Sequence, residues 1–585
     1  MLRGPDARLR LIGVLLVAVL LPVVGKLVQL QVLEHGRYAR EVRALVERRY
    51  ALPAAPTGCV RDRRGDLLVG NMPVYDVGAE IQTLTDPVTA AKAAITLAPL
   101  LGRPAEEVRD ALTIRPSEKE NLFVWRMLAK GVPVETAEAI AALDYPWISL
   151  QPTWSRYYAE GDLAAHLLGF VNQEGVGYGV QAYQLRIIRG EQVQQWGEVT
   201  GNSEPLPHEL AGGTALPYAG ADLRLTIDRT VQAYVEGELD KALVEYQAEG
   251  GAILVMDPRT GAILAMATRP AYEPQRYPDY AAQGDEALFR NPAISRPYEP
   301  GSVFKVITLA AALDSGLIDA DWSYEDRGSL EYGGIPVYNW DRGSYGQQNL
   351  QGILAHSLNV GVATLSTRVM GADVFYGYIQ HFGFGQPTGV ELSNEAAGTV
   401  HTPADWDWTD SYLSTNAFGQ GIAVTPLQMA AAVGALANDG TLMQPYVVAE
   451  RRYADGRTVV VPPRPAGQPV SAETAQTLAG LMANALEEKV PQATVPGYRI
   501  AGKTGTAQIP GVGGYEPEEV ITSFVGFGPL PDPQLLILVK LDRPGIAPEL
   551  RWGTRTAAPI FQRVAARLFV LLGIPPGHPV AEGGP

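Results

Sequence analysis

Three short motifs stand in order in the C-terminal half of the chain: Ser302-Val303-Phe304-Lys305, Ser357-Leu358-Asn359 and Lys503-Thr504-Gly505-Thr506. A serine and a lysine three positions apart share one face of a helix, so the amine of Lys305 can reach the hydroxyl of Ser302. A serine hydroxyl is a weak nucleophile until a neighbouring base takes its proton. The first motif therefore predicts an activated serine.

The second and third motifs would supply the other parts of an acyl-transfer site. Ser357 adds a hydroxyl that can relay a proton, and Asn359 adds an amide that can hold a substrate. The third motif adds a cation, two hydroxyls and Gly505, where the backbone can approach a ligand closely. Together the three motifs predict an enzyme that forms an acyl-serine intermediate.

Each motif alone is a weak signal. Ser302 is the only serine with a lysine three positions on, but the pattern Ser-x-Asn occurs again at Ser414-Thr415-Asn416. We favour Ser357 because a helix-like apolar run from Val360 to Val369 follows it. The first motif alone could be a helix face, and the third a strand end with a turn. Their occurrence in this order favours an enzyme over a non-catalytic copy of one.

Blocks around the motifs resemble class B penicillin-binding proteins, the monofunctional transpeptidases of bacterial cell-wall synthesis. Tyr298-Glu299-Pro300-Gly301 leads into the first motif, and Phe418-Gly419-Gln420-Gly421-Ile422 lies between the second and the third. Ser523-Phe524-Val525-Gly526-Phe527 resembles the strand that follows the third motif. The resemblance covers nearly the whole chain. It implies an α+β transpeptidase domain of the penicillin-binding, β-lactamase-like fold on an elongated N-terminal pedestal domain.

Upstream blocks resemble the family with departures. Residues 58–65 resemble its RGxIxDRxG segment, but Thr57 stands where that pattern has Arg. In a second block, which contains Arg156, Ala159 replaces a Pro, and Gln181 replaces a usual Glu. These departures lie outside the three motifs, so they leave the predicted chemistry unchanged.

The resemblance implies a role for each catalytic residue. Ser302 would attack the carbonyl of a D-Ala-D-Ala stem peptide, with Lys305 as the general base. Burial and the nearby Lys503 cation would depress the pKa of Lys305. Ser357 would pass the proton to the leaving amine, and Asn359 would orient the substrate amide and Lys305. The amine of a second stem peptide would then attack the acyl-enzyme and form the cross-link.

The resemblance places substrate binding on the third motif. Backbone N–H groups of Ser302 and Thr506 would form an oxyanion hole. The hydroxyls of Thr504 and Thr506, with Lys503, would hold the terminal carboxylate of the stem peptide, and Gly505 lies between them. β-Lactams would acylate the same serine. The reaction requires no metal and no cofactor.

Composition narrows the function classes. The 585 residues are too many for one core, and 46% hydrophobic content is that of a globular protein. The net charge of −16 argues against a nucleic-acid partner, because phosphate binding needs a basic surface. The single Cys59 excludes an internal disulfide, and none of the seven histidines has HExxH spacing. His166 lies in an apolar run, which favours a structural role.

The N-terminus predicts a membrane anchor. Arg3, Arg8 and Arg10 precede an apolar run from Leu11 to Gly25, and apolar residues resume past Lys26. The run alone could be a signal-peptide core, but no small-x-small cleavage site follows it. We expect an uncleaved helix with the N-terminus in the cytoplasm and the catalytic domain outside the membrane. A buried amphipathic helix is the alternative.

The remaining chain divides near residue 220, where a Gly- and Pro-rich stretch from Glu204 to Gly220 is typical of a connector. Alternating and apolar runs predict strands on both sides of a helical region, which favours an antiparallel sheet with helices on its faces. The loop predicted beside the site spans Gly511 to Glu519. The predicted segments are a cytoplasmic tail (1–8), a transmembrane helix (9–33), the pedestal (34–220), the transpeptidase domain (221–575) and a tail (576–585).

The predicted strands of the C-terminal half are short and separated by turn signals. Asp257-Pro258-Arg259-Thr260-Gly261 between two apolar runs indicates a hairpin. The predicted strands are Asp222–Asp228, Ala252–Met256, Ala262–Ala267, Arg499–Gln508, Ser523–Phe527 and Leu535–Leu541, with a long helix through Val231 and Leu243 and a closing helix over Ala557–Leu572.

Several alternatives stay open within this chemistry. A D,D-carboxypeptidase or β-lactamase would share the site but hydrolyse its acyl-enzyme, a β-lactam sensor would carry several membrane spans, and a scaffold would not acylate. Within class B, similarity of the blocks at residues 418–422 and 523–527 favours the septal, cell-division type over the elongation type. The family implies stem peptides, β-lactams, a polytopic membrane glycosyltransferase and other divisome or elongasome proteins as partners.

Overall fold

The structure is a computed structural model, and the part of the chain that it describes falls into two compact units. Unit 1 comprises residues 1–56, 73–155 and 190–220, and unit 2 comprises residues 57–72, 156–189 and 221–585. The domain boundaries predicted from sequence stay predictions. The described residues are 5–38, 47–51, 55–81, 84, 86–115, 124–172, 174–190, 194–198, 219–511 and 514–576.

The helices of the described chain range from single turns to the long helix at its start. In chain order they are α1 (Pro5–Val28), α2 (Pro87–Leu101), α3 (Ala105–Ala111), α4 (Val134–Ala141), α5 (Ala165–Leu168), α6 (Gly179–Tyr183), α7 (Leu185–Ile188), α8 (Arg229–Tyr246), α9 (Tyr277–Ala282), α10 (Pro292–Ser295), α11 (Lys305–Asp314), α12 (Leu350–His356), α13 (Asn359–Thr364), α14 (Gly371–His381), α15 (Asp410–Asn416), α16 (Pro426–Leu436), α17 (Ala472–Lys489) and α18 (Ala557–Leu571).

The strands are numbered in the same way. They are β1 (Glu47–Ala51), β2 (Val60–Arg61), β3 (Leu67–Glu80), β4 (Trp125–Pro133), β5 (Ile148–Tyr158), β6 (Gln194–Glu198), β7 (Asp222–Leu225), β8 (Gly250–Met256), β9 (Ile263–Arg269), β10 (Ser323–Asp326), β11 (Ser329–Tyr332), β12 (Ile335–Tyr338), β13 (Gly346–Asn349), β14 (Leu442–Met443), β15 (Val448–Arg452), β16 (Thr458–Val460), β17 (Pro465–Gly467), β18 (Ala501–Gly511), β19 (Gly514–Gly528) and β20 (Leu535–Asp542).

Helix α1 and the π-helical turn that follows it carry the predicted anchor. Among the described residues, the stretch Leu9–Leu33 is one helical segment of 25 residues that is long and apolar enough to cross a membrane. At 1.5 Å per residue it measures about 38 Å, which exceeds the roughly 30 Å hydrocarbon core of a bilayer. Its apolar side chains are exposed. Length and composition therefore agree with the predicted span.

The central sheet of unit 2 confirms the α+β prediction. Its five strands lie in the order β18-β19-β20-β8-β9, and every neighbouring pair is antiparallel. Successive side chains of β8 point to opposite faces. Ile253 and Val255 pack with helices α8 and α18, whereas Leu254 and Met256 belong to the core that contains α11 and α16. The sheet is therefore covered by helices on both faces, as expected from the sequence.

Local signals explain where the central helices begin. Asp228 caps α8, because its carboxylate accepts hydrogen bonds from the N–H groups of Thr230 and Val231. The strand predicted over Asp222–Asp228 ends at Leu225 for this reason. Helix α16 begins with a capping box between Thr425 and Gln428 and is buried on every side. A helix that is apolar all round belongs in a core, and α16 packs there against β20 and α11.

Two smaller assemblies complete the units. In unit 2, β2 pairs in parallel with β7, with Val60 opposite Leu223, and antiparallel with the start of β3. In unit 1, the second half of β3 pairs antiparallel with β4. A separate core around α2, α3 and α4 fills unit 1. Thus residues 57–72, which precede most of the pedestal in sequence, pack with the C-terminal unit.

Within the segment Gly511–Glu519, predicted to be a loop, the described residues 511 and 514–519 belong instead to strands β18 and β19. Strand β18 continues to Gly511 and β19 begins at Gly514, with Pro510 opposite Tyr515. The loop prediction was wrong because glycine and glutamate have low strand propensity. Backbone pairing that continues from the central sheet overrides that propensity.

His166 and Arg156, which the sequence analysis singled out, both lie in unit 2 and form hydrogen bonds there. His166 is buried, its Nε2 atom donates to Leu288 O at 2.8 Å, and its Nδ1 atom accepts from Thr268 at 2.8 Å. Both ring nitrogens are therefore satisfied, as a structural role requires. Arg156 donates to Gln181 Oε1 at 2.9 Å and to Gly58 O at 3.0 Å. The guanidinium of Arg156 thus donates to the neutral amide of Gln181, at the position where the family pattern has a glutamate.

Candidate active site

Ser302 and Lys305 lie at the junction of two helical types. Ser302 belongs to a 3₁₀ turn, Gly301–Phe304, and Lys305 is the first residue of α11. In a 3₁₀ turn the side chains at positions i and i+3 lie one above the other. Ser302 is partly exposed, whereas Lys305 is completely buried. The turn therefore leaves Ser302 partly exposed, while the buried amine of Lys305 donates its hydrogen bonds to Ser357.

Ser357 lies between the two lysines of the site. Its Oγ atom is 3.1 Å from Lys305 Nζ and 3.1 Å from Lys503 Nζ. Lys305 also donates to the carbonyl oxygen of Ser357. The backbone of Ser357 is left-handed, with φ of 55°, at the end of α12. Non-glycine residues avoid this region, and such strain is typical of functional sites.

The third motif forms part of β18 beside the nucleophile. Lys503 Nζ donates to Thr504 O at 3.1 Å. A Cβ atom on Gly505 would lie 2.4 Å from Ser523 Oγ and 3.0 Å from Val303 Cγ1, so only glycine allows β18 to pass this close to the serine turn. Thr506 Oγ1 accepts a hydrogen bond from Gly553 N at 3.1 Å.

Burial sets the proton affinity of both lysines. Burial and the neighbouring Lys503 charge hold the pKa of Lys305 well below its ordinary value. Burial lowers the pKa of Lys503 to about 7. Lys305 is therefore suited to hold an unprotonated amine, which can accept a proton from a hydroxyl. Lys503 can change its charge close to neutral pH.

The motifs open into one cavity of about 470 Å³. A volume of this size fits a drug-sized ligand or a short peptide. Its floor carries predicted residues from all three motifs, and its rim carries polar and aromatic side chains. The predicted site residues in its lining are Ser302, Ser357, Lys503, Thr504, Gly505 and Thr506. Lys305 lies beneath this floor.

Among the described residues, no hydrogen bond joins Asn359 to Lys305. Its Nδ2 atom donates to Tyr338 O at 2.9 Å, and the residue is outside the cavity lining. The second Ser-x-Asn match is more remote still. Ser414 is fully buried, and its hydroxyl donates to Ser411 O at 2.8 Å within α15. Of the two matches, the geometry joins only Ser357 to the lysines.

Sequence reasoning missed two tryptophans of the cavity rim. Trp340 and Trp552 both line the cavity, and their rings meet edge to face with centroids 5.4 Å apart. Their side chains are 57% and 40% exposed, which is unusual for tryptophan. No periodic signal marks them, because the two residues are more than two hundred positions apart. They narrow the entrance and offer apolar surface to a substrate.

A half-buried carboxylate just before the serine turn was also missed. Glu299 accepts hydrogen bonds from Gly421 N at 2.9 Å and from the hydroxyl of Tyr515 at 3.0 Å. Burial raises its pKa. Glu299 thus links the segment before Ser302 to the β18–β19 hairpin and to the block at residues 418–422. Among the described residues, no cluster of His, Cys, Asp and Glu side chains could hold a metal ion.

Comparisons with known proteins agree with this arrangement. The family described as the penicillin-binding protein transpeptidase domain matches residues 251–566, which is more than half of the chain. The penicillin-binding protein dimerisation domain matches residues 53–193. Both matches follow the order expected for a class B penicillin-binding protein.

Full-length relatives support the same assignment. Stage V sporulation protein D of Bacillus subtilis is 33% identical over 531 residues, covering 90% of this chain and 80% of that protein. Penicillin-binding protein PbpB of Mycobacterium tuberculosis is 32% identical over 486 residues, covering 80% of this chain and 70% of that protein.

A solved structure extends the likeness to the fold. Penicillin-binding protein 3 of Mycobacterium tuberculosis, complexed with aztreonam, superimposes with a TM-score of 0.67 and 28% identity. The match covers 90% of this chain and 98% of that one. These matches, together with the convergence of the three motifs in one cavity, show that the chain belongs to the class B penicillin-binding proteins.

Proposed function

We propose that the protein is a peptidoglycan D,D-transpeptidase that cross-links stem peptides through an acyl-serine intermediate. One observation carries the proposal: Ser357 Oγ lies 3.1 Å from the amines of both Lys305 and Lys503, at the floor of the cavity that Ser302 also lines. This arrangement can activate a hydroxyl and return its proton to a leaving group. Relatives with the activity in their names include the probable peptidoglycan D,D-transpeptidase PenA of Neisseria gonorrhoeae, which is 29% identical.

Acylation begins with proton transfer inside the cavity. The neutral amine of Lys305 accepts the proton of Ser302 as the Oγ atom attacks the carbonyl carbon of the penultimate D-Ala. The depressed pKa of Lys305 keeps its amine unprotonated for this step. Backbone N–H groups of Ser302 and Thr506 stabilise the oxyanion. The C–N bond then breaks, and the terminal D-Ala leaves.

The leaving amine needs a proton, and Ser357 is placed to deliver one. Its hydroxyl lies between Lys305, which has taken the proton from Ser302, and Lys503. Ser357 donates its own proton to the departing amine and receives another from Lys305. The Lys503 cation, with the hydroxyls of Thr504 and Thr506, holds the terminal carboxylate of the substrate. No cofactor enters these steps.

The second half reaction uses an amine from another stem peptide. That amine attacks the ester carbonyl and gives up a proton to Lys305 through Ser357. Lys305 then returns a proton to the Oγ atom of Ser302 as the Ser302–acyl bond breaks and the cross-link forms. Apolar surface at Trp340 and Trp552 excludes water from the ester and so favours transfer over hydrolysis. β-Lactams acylate Ser302 in the same way, since their strained amide occupies the position of the scissile bond.

Intact-mass measurement after exposure to a penicillin tests this function. We expect the mass of one penicillin to be added to the wild-type chain and none to be added to Ser302→Ala. Release of D-Ala from a stem-peptide analogue should then rise when an amine acceptor is supplied. An equal rate of D-Ala release with and without the acceptor would identify a carboxypeptidase instead. An unlabelled wild-type chain would contradict the acyl-serine mechanism itself.

We infer that the enzyme acts at the division septum rather than in elongation. Support comes from the similarity of its blocks at residues 418–422 and 523–527 to division transpeptidases. A relative described as a peptidoglycan D,D-transpeptidase FtsI homolog, from Mesostigma viride, is 27% identical. Fluorescence microscopy of a tagged chain in its own cells is the test. Enrichment along the side wall instead of at midcell would contradict this inference.

We propose a single-pass topology with the N-terminus in the cytoplasm. Arg3, Arg8 and Arg10, at and before the start of the helix Leu9–Leu33, support this orientation, because positive charges stay on the cytoplasmic side. The catalytic domain would then lie outside the membrane, where the peptidoglycan is. Since cross-linking consumes new glycan strands, we also propose a polytopic membrane glycosyltransferase as partner, together with other proteins of the division or elongation machinery.

A further inference from the structure

A second cavity lies in unit 2, away from the catalytic motifs. Its volume is about 430 Å³, close to that of the catalytic cavity. The turn between β8 and β9 forms one wall, β7 and the segment before β15 form another, and the chain after α18 closes the third. The residues that line it are Arg63, Arg224, Leu225, Thr226, Asp257, Arg259, Thr260, Ala262, Leu264, Tyr446, Ala449, Gln534, Leu572 and Ile574.

This cavity is separate from the site that contains Ser302. The β8–β9 turn, which lines this cavity, adjoins β9 at one edge of the central sheet. The third motif lies on β18 at the opposite edge. Four strand spacings of about 4.8 Å separate the two edge strands by about 19 Å. No residue lines both cavities. A ligand here would therefore leave the catalytic floor free.

The cavity has an excess of positive charge in an acidic chain. Arg259 pairs with Asp257 at 3.2 Å, and Arg224 pairs with Glu450, which also pairs with Arg452 outside the lining. The guanidinium of Arg63, an exposed residue, has no hydrogen-bond or ion-pair partner among the described residues. Three arginines and one carboxylate, Asp257, line the cavity. This excess of positive charge favours an anion.

The remaining lining residues indicate what kind of molecule carries the negative charge. Leu264, Leu572 and Ile574 contribute aliphatic side chains to the lining, and Ala449 contributes a small one. A guanidinium binds a carboxylate through two parallel hydrogen bonds. The lining thus fits a carboxylate next to an apolar side chain.

We propose that this cavity binds a small monocarboxylate with an aliphatic body, held by Arg63 and the wall formed by Leu572 and Ile574. Such a group can come from a free acyl amino acid or from an acidic residue next to a leucine in a peptide. Arg63 provides the free guanidinium, while Arg224 and Arg259 keep their internal partners and surround the carboxylate.

Calorimetric titration of the full chain in detergent tests the proposal. The probes are N-acetyl-L-leucine, its neutral isostere N-acetyl-L-leucinamide, and the peptide acetyl-Leu-Glu-Leu-amide. We expect the acid to bind and the amide not to bind. Tighter binding of the peptide than of N-acetyl-L-leucine would identify a peptide source, and the reverse order would identify a free small molecule. Failure of both carboxylates to bind would overturn the proposal.

Substitutions in the lining test whether the carboxylate binds in this cavity. Arg63→Gln should weaken binding at least about fivefold, because a hydrogen bond to a charged group is lost. Ala449→Leu should weaken it by filling the space. Arg464→Gln removes the same charge from an exposed residue outside the lining and should change nothing. Acylation by penicillin should persist in all three as a control for folding. Binding that survives both Arg63→Gln and Ala449→Leu would overturn the assignment.

Discussion

The Nζ atom of Lys305 lies 3.1 Å from the Oγ atom of Ser357 and also donates to the carbonyl oxygen of that residue. The amine expected to activate Ser302 is therefore held by the second motif. Catalytic hydrogen bonds are often long before substrate binds and tighten in the complex. In this arrangement the left-handed backbone of Ser357 positions the base as well as the relay hydroxyl.

The two lysines predict a bell-shaped pH profile for acylation. The reaction needs a neutral Lys305, whose pKa is depressed, and a charged Lys503, whose pKa is about 7. The rate should rise as the pH climbs through the pKa of Lys305 and fall as it climbs through about 7, where Lys503 loses its proton. Stopped-flow measurement with a fluorescent penicillin from acid pH to about pH 9 would show both limbs.

The matched variant for this profile is Lys503→Arg. An arginine stays charged throughout this range, so the alkaline limb should disappear even if the maximum rate falls. An alkaline limb that persists in Lys503→Arg would show that another group titrates there. A flat profile in the wild-type chain would remove both lysines from the titration.

Alanine substitutions should rank the predicted proton-transfer groups. Lys305→Ala should slow acylation by several orders of magnitude, because the hydroxyl of Ser302 loses its base. Ser357→Ala should slow it less, since Lys305 keeps its contact with the backbone carbonyl of residue 357. Ser414→Ala is the matched control, because that buried hydroxyl contacts Ser411 and not the lysines. Greater damage from Ser414→Ala than from Ser357→Ala would contradict the choice of the second motif.

Much of the catalytic fold could be predicted from the sequence because its signals are local. Apolar runs around Asp257–Gly261 predict the β8–β9 hairpin, and the 3.6-residue pattern from Val231 predicts α8. Long-range pairing has no such signal. Strand β2 pairs with β7 across more than a hundred and fifty residues, so the inclusion of residues 57–72 in unit 2 could not be read from spacing.

The residues of the candidate site also divide into those with a local sequence signal and those without one. The helical spacing of Ser302 and Lys305 is local, so their joint position follows from sequence. The approach of Lys503 to Ser357 joins residues 146 positions apart, and only resemblance to a family predicts it. The rim tryptophans have neither a local nor a family signal in the motifs. Trp340 follows β12, Trp552 lies between β20 and α18, and the two rings meet only in the folded chain.

Protonation of His166 should weaken the fold at acid pH. Burial lowers its pKa to about 4, below the ordinary 6.5, so the unfolded chain binds this proton more readily than the folded chain. The contribution to stability is complete above about pH 6.5 and is lost as the pH falls toward 4. The loss amounts to about 3 kcal/mol of the free energy of unfolding.

Urea unfolding at several pH values measures this effect. His166→Gln should be less stable at neutral pH, because the bonds to Leu288 and Thr268 are disturbed. Its stability should depend less on pH between about 6.5 and about 4 than that of the wild-type chain. Equal slopes in the two proteins would show that His166 does not titrate on unfolding.

The approach of β18 to the serine turn should tolerate no methyl group. In Gly505→Ala the new Cβ atom would lie 2.4 Å from Ser523 Oγ and 3.1 Å from Pro300 O. We expect a loss of about 1–3 kcal/mol in stability and slower acylation, because β18 must move away from Ser302. Gly480→Ala is the control, since no atom lies within 4 Å of a Cβ atom there and the residue is inside α17.

The control should act in the opposite direction. Replacing a helical glycine by alanine stabilises by about 0.5–1 kcal/mol, so Gly480→Ala should raise the unfolding temperature and leave acylation unchanged. Thermal unfolding followed by circular dichroism, together with penicillin acylation rates, separates the two variants. Wild-type acylation in Gly505→Ala would show that the strand can shift without disturbing the nucleophile.

The anchor helix should recognise the proposed glycosyltransferase. Leu9–Leu33 exposes Gly13, Ala18 and Gly25, and small residues let two helices pack closely in a membrane. Replacing residues 9–33 with an unrelated membrane helix should reduce co-purification of the glycosyltransferase while penicillin binding remains, because the cavity is built entirely from residues 302–555. The matched control replaces only the exposed Val14 by leucine, which keeps the small residues. Equal recovery of the partner with the swapped anchor would show that recognition resides outside the membrane helix.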